Sequence, residues 1–463
     1  MLSKYDIAFL GGGPAGYQGA IRAAQLGARV AVVEEQQLGG VCLNWGCIPT
    51  KAVRASAEVA RSIRRAKDYG FQAVEVAPDI RAILARKDKV VASLRKSIEQ
   101  SFIARKIDII EARGYLINPH EVGLAEDKET SSISAEKIVI ATGSRPASLP
   151  VFPETEGVFL AENIFNIKTL PHDLVVVGGG AIGVEMAAIF RELGSRVTLI
   201  EIKSRLLPSE DVEMGEYLES MLRRRKIKII CDKTISSSST ENGKIDILLS
   251  DGSNVTADTV ILAVGRVFNT LGIGLENVGI SLVNGHIKVN ECMQTSCPGI
   301  YAAGDVTGGW LLAHVAFAEG ICAAENALGS GTAMDYRVIP RTVFSIPEYS
   351  AVGISEEEAA NSYSIKVARF PFKSSGMGQA SGELEGLVKI ICDSKTDLIL
   401  GAHIIGPDAS SLISEIALAM QTGAPVESIM RTVHIHPSFS EAVLEVAQAL
   451  HGQAIHISPQ GAE

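Results

Sequence analysis

The sequence lacks any unbroken run of the roughly 18 apolar residues that a bilayer-crossing helix needs, so no membrane span is expected. It is also short of positive charge: 43 Lys and Arg stand against 53 Asp and Glu, a net charge of −10. A nucleic-acid surface needs a basic patch, and none is evident. The longest basic stretches, 61–67 and 223–228, are broken by apolar residues and read as solvated helix faces. The first ten residues carry one Lys and one Asp and then enter a Gly-rich turn, which suits a first strand rather than a secretory leader. Seven cysteines are present, five of them scattered singly. That pattern fits a reducing, cytoplasmic setting, in which a close Cys pair is catalytic or metal-binding rather than a structural staple.

What is present is a long, ordinarily hydrophobic chain: 463 residues, 46% hydrophobic and 21% charged. That length suggests about three domains. Within it lies an internal repeat. An apolar run at 5–10 is followed by Gly11-Gly12-Gly13-Pro14-Ala15-Gly16, a small-residue helix, and a strand at 29–33 that ends on Glu34. A second copy has an apolar run at 174–177, then Gly178-Gly179-Gly180-Ala181-Ile182-Gly183, a helix, and a strand at 196–200 that ends on Glu201. The interval from Gly16 to Glu34 equals that from Gly183 to Glu201. Glycines here permit a tight turn and let backbone N–H groups approach a pyrophosphate. The positive end of the helix favours that anion, and the terminal carboxylate can accept from a ribose. The expectation is two dinucleotide sites, one built on Gly11, Gly13, Gly16 and Glu34, the other on Gly178, Gly180, Gly183 and Glu201. Glu201 would repel a ribose 2′-phosphate and so favours NAD over NADP.

The rest of the chain organises around these units. Strands run into Gly turns at Ala141-Thr142-Gly143, Val264-Gly265 and Gly304-Asp305, and beyond about residue 337 the pattern changes to strands followed by helices. The expected class is α/β: two Rossmann-like dinucleotide-binding domains (1–147 with 270–336, and 148–269) and a C-terminal α+β domain (337–463).

Soon after Glu34 comes Gly39-Gly40-Val41-Cys42-Leu43-Asn44-Trp45-Gly46-Cys47-Ile48-Pro49-Thr50-Lys51. Four residues separate the cysteines, wider than a CxxC motif, and no second Cys or His cluster stands nearby to complete a zinc site. The two thiols can bridge if the backbone lies on one helical turn, with a helix starting near Cys42 whose end would lower a thiolate pKa.

The segment 39–51 resembles the redox-active signature of the pyridine nucleotide–disulfide oxidoreductases. Both Gly fingerprints, Ala141-Thr142-Gly143, Gly304-Asp305, Ala313-His314 and His434-Ile435-His436-Pro437-Ser438-Phe439-Ser440-Glu441 occur in the same order along nearly the whole chain. Within the family, the cysteine segment and the double-His motif are most similar to the members that oxidise dihydrolipoamide. The resemblance implies FAD on the first fingerprint, with Gly143, Asp305, Ala313 and Lys51 near it. It implies NAD on the second, with Glu185 and Gly265, and a Lys51–Glu185 ion pair. Cys47 would be the flavin-side thiol and Cys42 the thiol that exchanges with substrate. His436, oriented by Glu441, would be the base, contributed across a homodimer. His434 reads as structural, because alternate residues of an extended segment face opposite ways. The implied partner is a lipoyl-bearing acyltransferase or the H protein of glycine cleavage. The alternative is another disulfide or metal-ion reductase of the same family. Trp45, Trp310-Leu311 and Met377 depart from the common pattern.

Overall fold

A computed structural model describes residues 4–72, 77–125, 130–153 and 155–457. Its first sheet is a parallel core with an antiparallel extension. The strand order is Asp108–Glu111, Val30–Glu34, Lys4–Leu10, Thr130–Ile140, Glu121–Ala125, Arg113–Asn118. Ile300–Ala302 adds to the carboxyl-terminal half of Thr130–Ile140, in parallel. The carboxyl-terminal stretches of the central strands, 7–10, 30–33 and 138–140, are apolar and buried, as strands covered on both faces must be.

The carboxyl ends of these strands are tied together in series. Gly11 N donates to Val33 O, Ala141 N to Leu10 O and Ala303 N to Ile140 O, at 2.8, 2.8 and 3.0 Å. The Gly-rich turns at 11, 141 and 304 therefore lie side by side along one edge, where open α/β sheets bind ligands.

A second sheet, all parallel, runs Lys228–Ile230, Arg196–Ile200, Asp173–Val177, Thr259–Leu262, Val158–Leu160. The same ties recur: Gly178 N to Ile200 O and Ala263 N to Val177 O, both 2.8 Å. A two-stranded pairing of Ser144–Pro146 with Arg266–Phe268 joins the segments that leave the two sheets. The C-terminal part carries a five-stranded antiparallel sheet backed by the helices Ala409–Thr422 and Glu441–Leu450. Among the described residues no helix is long and apolar enough to cross a membrane.

Two sequence expectations are corrected. The basic stretch 61–67 is not a solvated face. Arg61 and Arg65 both grip Glu383 of the C-terminal part, and Arg64 binds Glu192 of the second parallel unit. In 223–228, Arg225 ion-pairs with Glu385 and Glu192. Long cationic side chains span gaps between units at Arg61, Arg64, Arg65 and Arg225, while Lys67, Arg223, Lys226 and Lys228 stay exposed as a solvated face would. The single helical turn expected from Cys42 is also interrupted. A short helix, Gly40–Asn44, stops at Trp45-Gly46, and a long helix, Cys47–Arg64, starts on the second cysteine.

Candidate active site

The two fingerprints have nearly the same geometry. Gly11 and Gly178 have φ of +107° and +109°, a region where L side chains are strained. A Cβ on Gly16 would stand 1.9 Å from Gly11 O, and one on Gly183 would stand 1.8 Å from Gly178 O. Those glycines are required by helix–strand packing. Gly13 and Gly180 differ: a Cβ on Gly13 would meet only the Gly40 Cα, at 3.9 Å, and one on Gly180 would meet nothing within 4 Å. Each is the N-cap of its helix, and neither supplies a side-chain cap. Two helix N-termini thus present uncapped N–H groups to open space, an arrangement that fits a pyrophosphate.

The carboxylates at the strand ends are fixed in matching ways. Glu34 accepts from Gly12 N at 2.7 Å and Gln36 N at 2.8 Å. Glu201 accepts from Gly179 N at 2.5 Å and Lys203 N at 2.7 Å. Burial pushes Glu34 above the usual carboxylate range.

The cysteine segment is built onto the first fingerprint. Gly39 N donates to Gly12 O at 2.8 Å, and a Cβ on Gly40 would lie 2.6 Å from Gly13 Cα. Asn44, buried, donates to Leu38 O at 3.1 Å and Gly40 O at 2.9 Å and so staples the short helix. Cys47 opens the long helix, where unpaired N–H groups and the helix dipole favour a thiolate.

The two thiols are unequal. The hydrogen bond from Cys42 lowers the Cys47 pKa, and Lys51, one turn along the helix, adds to this against the cost of burial. The same bond, together with burial, raises Cys42 strongly and keeps it protonated. Lys51 Nζ lies 2.9 Å from Glu185, so the expected ion pair is present. Glu185 also accepts from Phe344 N at 2.8 Å, and the Lys51 ammonium sits 4.3 Å from the Phe344 ring centroid. This one carboxylate joins the cysteine helix, the second fingerprint helix and the C-terminal part.

Asp305 accepts from Ser144 Oγ at 2.5 Å and lies 3.6 Å from Arg266 Nε. Gly143, at φ +69°, and Gly265, at +119°, hold the turns beside it. Ala313 starts the helix Ala313–Ala327, whose N-terminus has no side-chain cap.

His436 is held within its own segment. Its Nδ1 is 2.7 Å from Glu441 Oε1, and its side chain is 78% exposed. Burial raises Glu441, but the bonds from His436 and Ser438 N outweigh it and hold the carboxyl below its usual range. The His434 side chain is only 4% exposed and is held by Glu415 and Thr432 O. That favours the structural role for His434. Trp310 is half-exposed, 5.9 Å from the Arg341 guanidinium.

Sequence reasoning missed Asn44, Phe344 and Arg266. Asn44 lies inside the cysteine segment itself. Arg266 comes directly after Gly265, but its partners Glu162 and Asp305 lie far away along the chain.

Residues 5–320 match the family described as pyridine nucleotide-disulphide oxidoreductase, and residues 339–447 match that family's dimerisation domain. The chain is similar to the dihydrolipoyl dehydrogenase of Bacillus subtilis (40% identity over 98% of this chain and 100% of the relative). It is similar to that of Thermus scotoductus at 39% identity, over 98% of this chain and 99% of the relative. The solved structure of LpdA from Mycobacterium tuberculosis superposes with a TM-score of 0.91, at 32% identity, covering 97% of this chain and 100% of that one. The disulfide reductase RclA of Escherichia coli, solved as a Cu(II) complex, gives 0.89 at 29% identity over 96% of this chain and 99% of that one. The chain belongs to the pyridine nucleotide-disulphide oxidoreductase family.

Proposed function

We propose that this protein oxidises protein-bound dihydrolipoyl groups to lipoyl groups and reduces NAD+, through the Cys42–Cys47 pair and FAD. The observation that carries the reading is the thiol pair, seated on a helix N-terminus against the first dinucleotide turn and beside the Lys51–Glu185 ion pair. The dihydrolipoyl dehydrogenase name shared by the full-length relatives supports it. Gly11, Gly13, Gly16, Glu34, Lys51, Gly143, Asp305 and Ala313 would hold FAD. Gly178, Gly180, Gly183, Glu185, Glu201 and Gly265 would hold NAD. These assignments divide the chain into an FAD unit (1–147 and 270–336), an NAD unit (148–269) and an interface unit (337–463).

FAD, when bound, supplies the two-electron relay between the Cys47 thiolate and NAD+. His436 Nε2 takes the proton of the first substrate thiol, because Nδ1 is engaged by Glu441. That sulfur attacks Cys42 Sγ of the oxidised pair, the Cys42–Cys47 bond breaks, and Cys47 leaves as the thiolate. The second substrate sulfur then attacks the first, closing the lipoyl disulfide and releasing Cys42 as a thiol. The sum is dithiol plus NAD+ to disulfide, NADH and one proton.

Val433 is 95% exposed and Ile435 78%, flanking the exposed His436 within the dimerisation-domain match. This supports a homodimer in which each His436 serves the other copy's cysteines. The expected partners are a lipoyl-bearing acyltransferase or the glycine cleavage H protein, in a cytoplasmic setting. Assaying free dihydrolipoamide against glutathione with NAD+ is the test. Turnover with dihydrolipoamide alone supports the reading, and preference for glutathione overturns it. The likeness to RclA favours a second reading, reduction of a metal ion such as Cu(II). NADH consumption driven by Cu(II) and not by lipoamide would select it.

A further inference from the structure

Glu319 is a carboxylic acid that the proposed reaction does not use, yet it is almost wholly buried, 3% exposed. It projects from the helix Ala313–Ala327 to the underside of the Gly304-Asp305 turn. Its Oε2 accepts from Gly304 N at 2.7 Å, and its Oε1 accepts from Tyr336 Oη at 2.7 Å. Among the described residues no Lys, Arg or His pairs with it. Buried carboxyls without a cation are costly in the ionised form and call for an explanation.

The turn that Glu319 holds is tightly constrained. Gly304 has φ +80°, and a Cβ there would lie 3.1 Å from the Ala15 Cβ. A Cβ on the neighbouring Gly320 would stand 2.1 Å from Ala15 O, so this helix packs directly on the first fingerprint helix. Glu319 thus sits between the two elements expected to carry the flavin nucleotide.

We propose that Glu319 is a proton-linked positioning residue of the flavin site, which fixes the Gly304-Asp305 turn and holds FAD more tightly in its protonated form. This rests on the reading that the turn carries FAD. The groups that face Glu319 are few. Asp305 looks at it from the turn and opposes its ionisation, as burial does more strongly, while Tyr336, Gly304 N and Thr307 favour it. Cys322 lies along its own helix, with its thiol pushed up to about 11 by burial. The first fingerprint helix turns the uncharged Ala15 and Gly19 toward this helix, and its Arg22 is occupied by Glu325. The balance leaves Glu319 raised to about 7. An ionised Glu319 stands behind Asp305 and repels the FAD pyrophosphate. FAD binding therefore favours the protonated acid, and affinity falls as pH rises through neutrality.

The test is the FAD dissociation constant of the oxidised apoprotein, read by flavin fluorescence from about pH 5.5 to about pH 8.5. Oxidation locks the cysteine pair as a disulfide and removes its titration. Wild-type affinity should fall about three- to tenfold across the range. Glu319→Gln keeps the acceptor for Gly304 N and mimics the neutral acid. It should bind FAD at the high pH end at least as tightly as wild type and lose this pH dependence. The difference between the two proteins isolates Glu319 from every other titrating group. Tyr336→Phe removes a donor that favours the charged form and should move the fall to higher pH. An unchanged slope in both variants, or a flat wild-type profile, overturns the role of Glu319 alone. Failure of the wild-type apoprotein to take up FAD at any pH overturns the flavin reading and this proposal together.

Discussion

The two Gly fingerprints are almost superimposable in local detail, yet the chain segments beyond them put each to a different use. After Glu34 the chain returns at once to the first turn, and Gly40 packs on Gly13 with the cysteine pair directly beyond. After Glu201 the chain also returns to its turn, Leu207 N donating to Gly179 O at 2.9 Å, but it then runs on to Glu210 and Asp211, which are captured by the C-terminal part. Glu210 accepts from Arg341 and from Tyr349 Oη, and Asp211 holds the wholly buried Lys389 at 2.9 Å. The first turn is thus bordered by the cysteine pair, and the second by a loop anchored in the C-terminal part. On the proposed assignment, the same motif would serve a resident cofactor in the first case and an exchanging one in the second.

Matched substitutions should separate the two. Gly16→Ala drives a Cβ into Gly11 O at 1.9 Å and should yield protein without FAD, seen as loss of flavin absorbance after purification. Gly183→Ala meets an equivalent clash at 1.8 Å but should keep flavin and lose NAD+ turnover. Overpacking of this kind costs about 1–3 kcal/mol or more. The roles of the two units would be exchanged if Gly183→Ala were the flavin-free protein.

Next in size, His436→Ala should cut dihydrolipoamide turnover by about 10² to 10⁴ while leaving flavin reduction by dithionite unchanged. Glu441→Gln should cost less, since the imidazole keeps a hydrogen-bond partner. Unaffected turnover in His436→Ala would remove the base assignment. The smallest effect is expected at the second fingerprint. Glu201→Ala removes the charge that opposes a 2′-phosphate and should raise kcat/KM for NADP+ relative to NAD+ by about tenfold, or ~1.4 kcal/mol. A wild-type preference for NADP+ would contradict the contribution assigned to Glu201.

Much of this architecture was legible because each βαβ unit is local. Its turn, helix and terminal acid lie within one short stretch, and their spacing carries the geometry. The ion pair of Lys51 with Glu185 was legible only through family resemblance, since spacing cannot join residues so far apart. The break at Trp45-Gly46 was not legible, because both flanking segments carry helix-compatible residues and the interruption is set by Gly46 packing against Val41 and Cys42. The basic stretch 61–67 misled for the opposite reason. Its acceptors, Glu192 and Glu383, are supplied by distant parts of the chain, and nothing local marks them.

The most direct test of the redox pair is an anaerobic thiol count. The oxidised protein, treated with NADH and quenched in denaturant, should expose two more reactive thiols than the untreated protein, with a long-wavelength flavin absorbance appearing in parallel. Cys47→Ser should lose both responses and Cys42→Ser the gain in thiols. A wild-type protein whose thiol count does not change on NADH addition would contradict the account.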